Sequence, residues 1–224
     1  MSNLEHSIFE LKESMIDMAH LVRSQLVLSR QAFIDFNLSI AREIIKNEKR
    51  VNEMELANDH RSENIIALYN PVAIDFRFVI AMLKSNTDLE RMGDNVEGIA
   101  KYIIGMDKAF QPAYTQHFEI IKMFDDCIRM FDFAIEAFVN EDSSVAGSLF
   151  KQDIKLNKIN KKATALAPEL LMSHPADAKE ILASISIIRK LERIGDQVTN
   201  LAEEIIFYLD AKVLKHIKKK DKFS

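Results

Sequence analysis

The chain is expected to be all-α, a tandem repeat of two antiparallel three-helix bundles. Three observations predict this. The 224 residues contain only five Gly and four Pro, too few breakers for a fold rich in tight turns. Apolar residues recur at steps of three and four over stretches of about 30 residues, the period of an amphipathic helix. One stretch also occurs twice. Leu89-Glu90-Arg91-Met92-Gly93-Asp94 returns as Leu191-Glu192-Arg193-Ile194-Gly195-Asp196, and Val96, Ala100 and Ile103 match Val198, Ala202 and Ile205 beyond it. A repeat at about half the chain length makes each half one structural unit.

The elements follow in order. Leu4, Ile8, Leu11, Met15, Met18, Leu21, Val22 and Leu26 predict a first helix over 3–34. Phe36-Asn37 is a weak break, and a second helix runs over 38–69 to Asn70-Pro71, where the residue before proline is driven out of helical angles. Leu89, Met92, Val96, Ile99, Ile103 and Met106 form a heptad-like seam on a third helix over 73–106. Residues 107–114 read as a linker. A fourth helix is expected over 115–140, a fifth over 144–172 with Pro168 as a candidate bend, and a sixth over 176–210. Asn140-Glu141-Asp142-Ser143 offers caps between the fourth and fifth. The expected organisation is a first bundle over 1–106, the linker, a second bundle over 115–212, and a Lys-rich tail over 213–224. Short connections make neighbouring helices antiparallel.

Composition excludes several classes. The net charge of −4 argues against non-specific nucleic-acid binding as the main role. A lone cysteine, Cys127, rules out an internal disulfide framework and reads as core packing. No basic and apolar leader opens the sequence, and no window is apolar enough to span a membrane. The expected location is cytoplasmic, with membrane contact only through partners. No Gly-rich phosphate loop and no matched nucleophile and base can be picked out. Asp17-Met18-Ala19-His20 is an isolated Asp-x-x-His, so the paired Glu-x-x-His motif of a buried di-iron bundle is absent.

The repeated stretch carries the chemistry. Glu90/Asp94 and Glu192/Asp196 are spaced i, i+4, on one helix face. On a wheel, Glu192 and Asp196 fall about 100° and 140° from Leu191, well off the apolar seam. Gly93 and Gly195 precede each Asp, and a mid-helix Gly costs about 1 kcal/mol relative to Ala, so a close neighbour is expected there. Glu48/Asn52 and Asp153/Asn157 on the preceding helices match each other and would converge on these pairs in an antiparallel packing. Glu55, Asp59, Glu97 and Glu203 extend the acidic stripes. Oxygen-only clusters suit hard cations such as magnesium, manganese, calcium or iron. The bland alternative is a solvated acidic face on which Arg91 and Arg193 pair with neighbouring carboxylates.

The run Asn70-Pro71-Val72-Ala73-Ile74-Asp75-Phe76-Arg77-Phe78-Val79, followed by the first Leu-Glu-Arg-Met-Gly-Asp, resembles the first half of the PhoU family of phosphate-uptake regulators. The second motif, with Asn200-Leu201-Ala202-Glu203 and Phe207-Tyr208, resembles the second half. The resemblance implies a non-enzymatic adaptor that restrains phosphate uptake and the phosphate-starvation response. It would couple the nucleotide-binding subunit of the phosphate ABC transporter to a sensor histidine kinase. It also implies surface metal clusters on Glu/Asp-x-x-x-Asp motifs, with divalent or ferric ions: iron, zinc, manganese or magnesium. Glu90/Asp94 and Glu192/Asp196 match that motif fully, while Glu48/Asn52 and Asp153/Asn157 match at the first position only. The base rate for soluble assemblies adds a homodimer. The competing readings are a carboxylate-bridged hydrolase or oxidase and a plain helical scaffold.

Overall fold

The computed structural model describes residues 2–214, which hold seven α-helices and one 3₁₀ turn, with no strand among them. Helices α1 (Asn3–Asp35), α2 (Leu38–Tyr69) and α3 (Ala73–Ile104) form the first half. A short α4 (Pro112–His117) leads into α5 (Ile120–Val139), α6 (Ser143–Ser173) and α7 (Ala178–Asp210). The predicted three-and-three order of long helices stands. The Lys-rich stretch from 215 onward lies outside the described residues.

Local chemistry sets the ends. Ser2 opens α1 with a capping box: its hydroxyl accepts from the Glu5 backbone N–H, and the Glu5 carboxylate accepts from the Ser2 N–H. Asn37 caps α2 by accepting from Ser39 and Ile40 N–H groups, and Asp142 caps α6 by accepting from Ser144 and Val145. Phe36 and Asn70 close α1 and α2 in the left-handed region, at φ 48° and 46°. α6 runs through Pro168 unbroken.

The fourth predicted helix, 115–140, is two helices. Pro112, fixed at a helical φ, starts α4 inside the expected linker. The chain then turns at Glu119, whose φ of 55° is left-handed, before α5 begins. Neither Gly, Pro nor Asn marks this break. Tertiary contacts hold it: Phe118 is buried, and the Glu119 carboxylate accepts from Lys122 at 2.9 Å and from Lys162 of α6 at 2.8 Å. Upstream, Tyr114 donates to Asp177 at 2.8 Å, and the Gln111 backbone N–H donates to the buried Glu180 of α7. The sixth predicted helix likewise begins with a 3₁₀ turn at Pro175–Asp177.

Packing joins the halves. α1, α2 and α3 pack on one another, as do α5, α6 and α7. α3 then lies against α7 and α1 against α5, so α1, α3, α5 and α7 surround a shared centre lined by Met15, Met82, Leu89, Phe131, Phe138 and Leu201. One continuous apolar core runs through both bundles. The α1–α5 edge is clamped antiparallel by Arg23 on Asp132 and Arg30 on Asp125, each a guanidinium fork on a carboxylate.

The α3–α7 contact carries the repeat's symmetry. Asn95 Nδ2 donates to the Oε1 of Gln197, its own counterpart in the repeat, at 3.3 Å. Asn200 donates to Asp88 at 3.1 Å, and the equivalent pair, Gly98 and Lys190, is also in contact. The two helices therefore cross antiparallel about a pseudo-two-fold axis at Asn95 and Gln197.

Candidate functional site

The repeated glycines explain how the acidic side chains are placed. A methyl group on Gly93 would lie 2.8 Å from Glu48 Oε2 and 3.2 Å from Val51 of α2. On Gly195 it would lie 2.4 Å from Leu156 Cδ1 and 3.6 Å from Asp153 Oδ1 of α6. The bare helix face at each glycine lets the preceding helix approach, as the sequence required. In each half this brings the upstream carboxylate onto the helix that bears the repeated motif.

The upstream carboxylates do not face outward, however. Glu48 is 5% exposed and Asp153 is fully buried. The wheel located the flank of the motif helix correctly, but the α2–α3 and α6–α7 contacts cover what the upstream helices bring to it. Glu90 is half-buried on α3, and Asp94 and Asn52 are exposed. On the second side Glu192, Asp196 and Asn157 are half-buried.

Electrostatics mark the first side as a shared acidic face. Burial, then the nearby charges of Asp94, Glu97 and Glu90, push the Glu48 carboxyl up to about 8. Burial and Asp94 raise Glu90, and burial, Asp59 and Asp94 raise Glu55. Both Glu48 oxygens are buried and accept no hydrogen bond among the described residues. A buried carboxylate without a donor is costly, and neutralisation by a proton or a cation relieves it. Glu97 and Glu55 entered the sequence reading only as extensions of the stripe. Their spacing from Asp94 and Glu48 was the available signal.

The second side is built differently. Asn157 donates to Asp153 Oδ2 at 2.8 Å, so the amide four residues on is engaged by the carboxylate that begins the pair. Asp153 also lies close enough to the buried Cys127 to raise its thiol, after burial and Asp126.

These residues fit a cation in part. The donor set is all oxygen, and Glu48 presents two unsatisfied buried oxygens toward Glu90, Asp94 and Glu97. Among the described residues, no three His, Cys, Asp or Glu side chains converge closely enough to hold one ion as they stand. Glu48, Glu90 and Asp94 would have to draw closer together to hold one, with Glu97 and Glu55 adjoining. A bound cation there would offset the mutual repulsion of this face.

Comparison with known proteins agrees with the duplicated architecture. The family profile described as the PhoU domain matches twice, over residues 15–103 and 120–205. A Thermotoga maritima protein named phosphate-specific transport system accessory protein PhoU homolog 1 is 30% identical over 217 residues, covering 95% of this chain and 91% of that one. A Burkholderia protein named phosphate-specific transport system accessory protein PhoU homolog is 30% identical over 207 residues, covering 91% and 87%. The crystal structure of PhoU from Pseudomonas aeruginosa superposes with a TM-score of 0.88 at 26% identity, covering 94% of this chain and all of that one.

Proposed function

The chain belongs to the PhoU family, and from that premise we propose that it is an accessory regulator of a phosphate-specific transport system. In this reading it is a non-enzymatic adaptor in the cytoplasm. It restrains phosphate uptake and the starvation response by linking the transporter's nucleotide-binding subunit to a sensor histidine kinase, and it acts as a homodimer. The observation that carries the proposal is the match of both repeats across nearly the whole chain to proteins named for that transport system. No helix among the described residues is long and apolar enough to cross a membrane. The test is deletion of the gene with phosphatase expression measured in high phosphate. Derepression is expected, and unchanged repression would sink the role.

We further propose that the α2–α3 face holds a divalent or ferric ion on Glu48, Glu90 and Asp94. The unsatisfied Glu48 carboxylate supports this most directly. The equivalent α6–α7 face is the weaker site, because Asn157 already donates to Asp153. Ions bound here would alter the charge of a surface available to partners. A switch between partners then requires different affinities for the two charge states. Metal content of chain purified without chelator, compared with a variant carrying alanine at 48, 90, 94, 192 and 196, tests the site separately from the regulatory role.

A further inference from the structure

The α3–α7 crossing creates two clefts related by the pseudo-two-fold axis, and they differ in charge. One, of about 670 Å³, is lined by four cations, Arg91, Lys101, Lys190 and Arg193, against two carboxylates, Asp94 and Glu97. The other, of about 340 Å³, has two cations, Lys84 and Arg91, against three carboxylates, Asp88, Glu203 and Glu204. The lining positions correspond through the repeat: Lys190 to Asp88, Gly98 to Asn200, Lys101 to Glu203 and Tyr102 to Glu204. The same architecture therefore carries opposite charge balance at its two clefts.

The acidic cleft satisfies much of itself. Asn200 donates to Asp88, and Lys84 pairs with Glu204 at 3.0 Å. Of the four cations of the basic cleft, Lys101 alone forms a salt bridge among the described residues, with Glu97. Arg91, Lys190 and Arg193 form no salt bridge among the described residues, although the charge of Arg91 is felt by Asp88, Glu90 and Glu55. Gly98 makes this possible: a methyl group there would lie 2.3 Å from Lys190 Cε and Nζ, so Lys190 lies across α3 because that position has no side chain. Gln197 accepts from Asn95 through Oε1, leaving its amide N–H groups as further donors at the cleft.

We propose that this cleft between α3 and α7 binds a phosphoryl oxyanion, held by Arg91, Lys190 and Arg193. Two guanidinium forks match the paired oxygens of a phosphate, and Lys190 adds a point charge. The ligand is inorganic phosphate or the terminal phosphate of a nucleotide. The cleft borders the acidic α2–α3 face and shares Asp94 and Glu97 with it, but the cations that would hold the anion, Arg91, Lys190 and Arg193, are not among the ligands of that face. The inference goes beyond the adaptor role because binding is a property of the isolated chain.

The test is equilibrium dialysis of the full chain with radiolabelled phosphate, in low salt with a chelator so that no bound cation can capture the anion. ATP and sulfate are the competitors. Saturable binding is expected, weakened at least about tenfold by Arg193→Gln and by the double variant Lys190→Asp/Gly98→Asn, which rebuilds the acidic counterpart in the basic cleft. Arg193→Lys, which keeps the charge but loses the fork, is expected to give an intermediate loss. Tighter competition by ATP than by unlabelled phosphate assigns the site to a nucleotide, and the reverse to the free anion. If no saturable binding of phosphate or ATP occurs up to about 10 mM, the proposal is overturned. It is also overturned if folded Arg193→Gln and Arg193→Lys bind as the parent does, or if sulfate competes as well as either phosphate.

Discussion

Glu48 lies directly over Gly93, with a carboxylate oxygen 2.8 Å from where a methyl group would sit. The glycine admits the carboxylate, and the carboxylate, once admitted, is shut away from water and from donors. Structure and chemistry at this face both follow from that contact.

Alanine at the glycines should rank by the space above them. Gly147 of α6 has nothing within 4 Å, so Gly147→Ala should stabilise by about 0.5–1 kcal/mol through helix propensity alone. Gly93→Ala should forfeit that gain and destabilise by about 1 kcal/mol, because both Glu48 and Val51 must shift. Gly195→Ala, pressed against the fully buried Leu156, should cost about 1–3 kcal/mol. Urea unfolding of the three variants checks the order.

The Glu48 carboxyl, raised to about 8, makes stability fall with pH. Below the ordinary carboxylate range both folded and unfolded chains hold this proton, and its contribution is fully present. Above that range the unfolded chain ionises first, so stability is lost as pH rises toward about 8 and stays low beyond. In chelated buffer Glu48→Gln should remove this loss, leaving a variant on the order of 2–4 kcal/mol more stable than the parent at pH 9. Parallel pH slopes for parent and variant would contradict the assignment.

Cation binding at the same face should release about one proton at neutral pH, because the ligand must be the carboxylate. Apparent affinity should climb with pH and level off above about 8. Titration calorimetry in buffers of different ionisation enthalpy measures the proton, and Glu48→Gln should abolish its release. Binding with no buffer dependence would remove Glu48 from the ligand set.

Cys127 should be inert in the folded chain. Its thiol is fully buried, donates to the Leu191 carbonyl at 3.2 Å, and is pushed well up by burial and by Asp126 and Asp153. Labelling by a thiol reagent at pH 8 should proceed only at the rate at which the chain unfolds. Stoichiometric labelling of folded protein within minutes would show an opening that the packing does not contain.

The long helices were legible because their apolar periods run for about eight turns, and the duplicated motif fixed their order. The break at Phe118 and Glu119 was not legible. It rests on a buried ring and on a lysine 43 residues away in α6, neither of which is a local signal. Glycine spacing foretold the close approach of α2 and α6. It could not foretell that the approaching carboxylates would be enclosed, since burial depends on the neighbouring helix. In the bland alternative Arg91 and Arg193 pair with neighbouring carboxylates, and neither forms such a salt bridge among the described residues.

The sequence alone determined the all-α class, the two-fold repetition, and which carboxylates share a helix face, because helical geometry converts spacing into direction. Only the tertiary structure decided the charge state of Glu48 and the difference between the two clefts at the α3–α7 crossing. Those depend on desolvation and on charges brought together from positions far apart in the chain, which spacing along one helix does not encode.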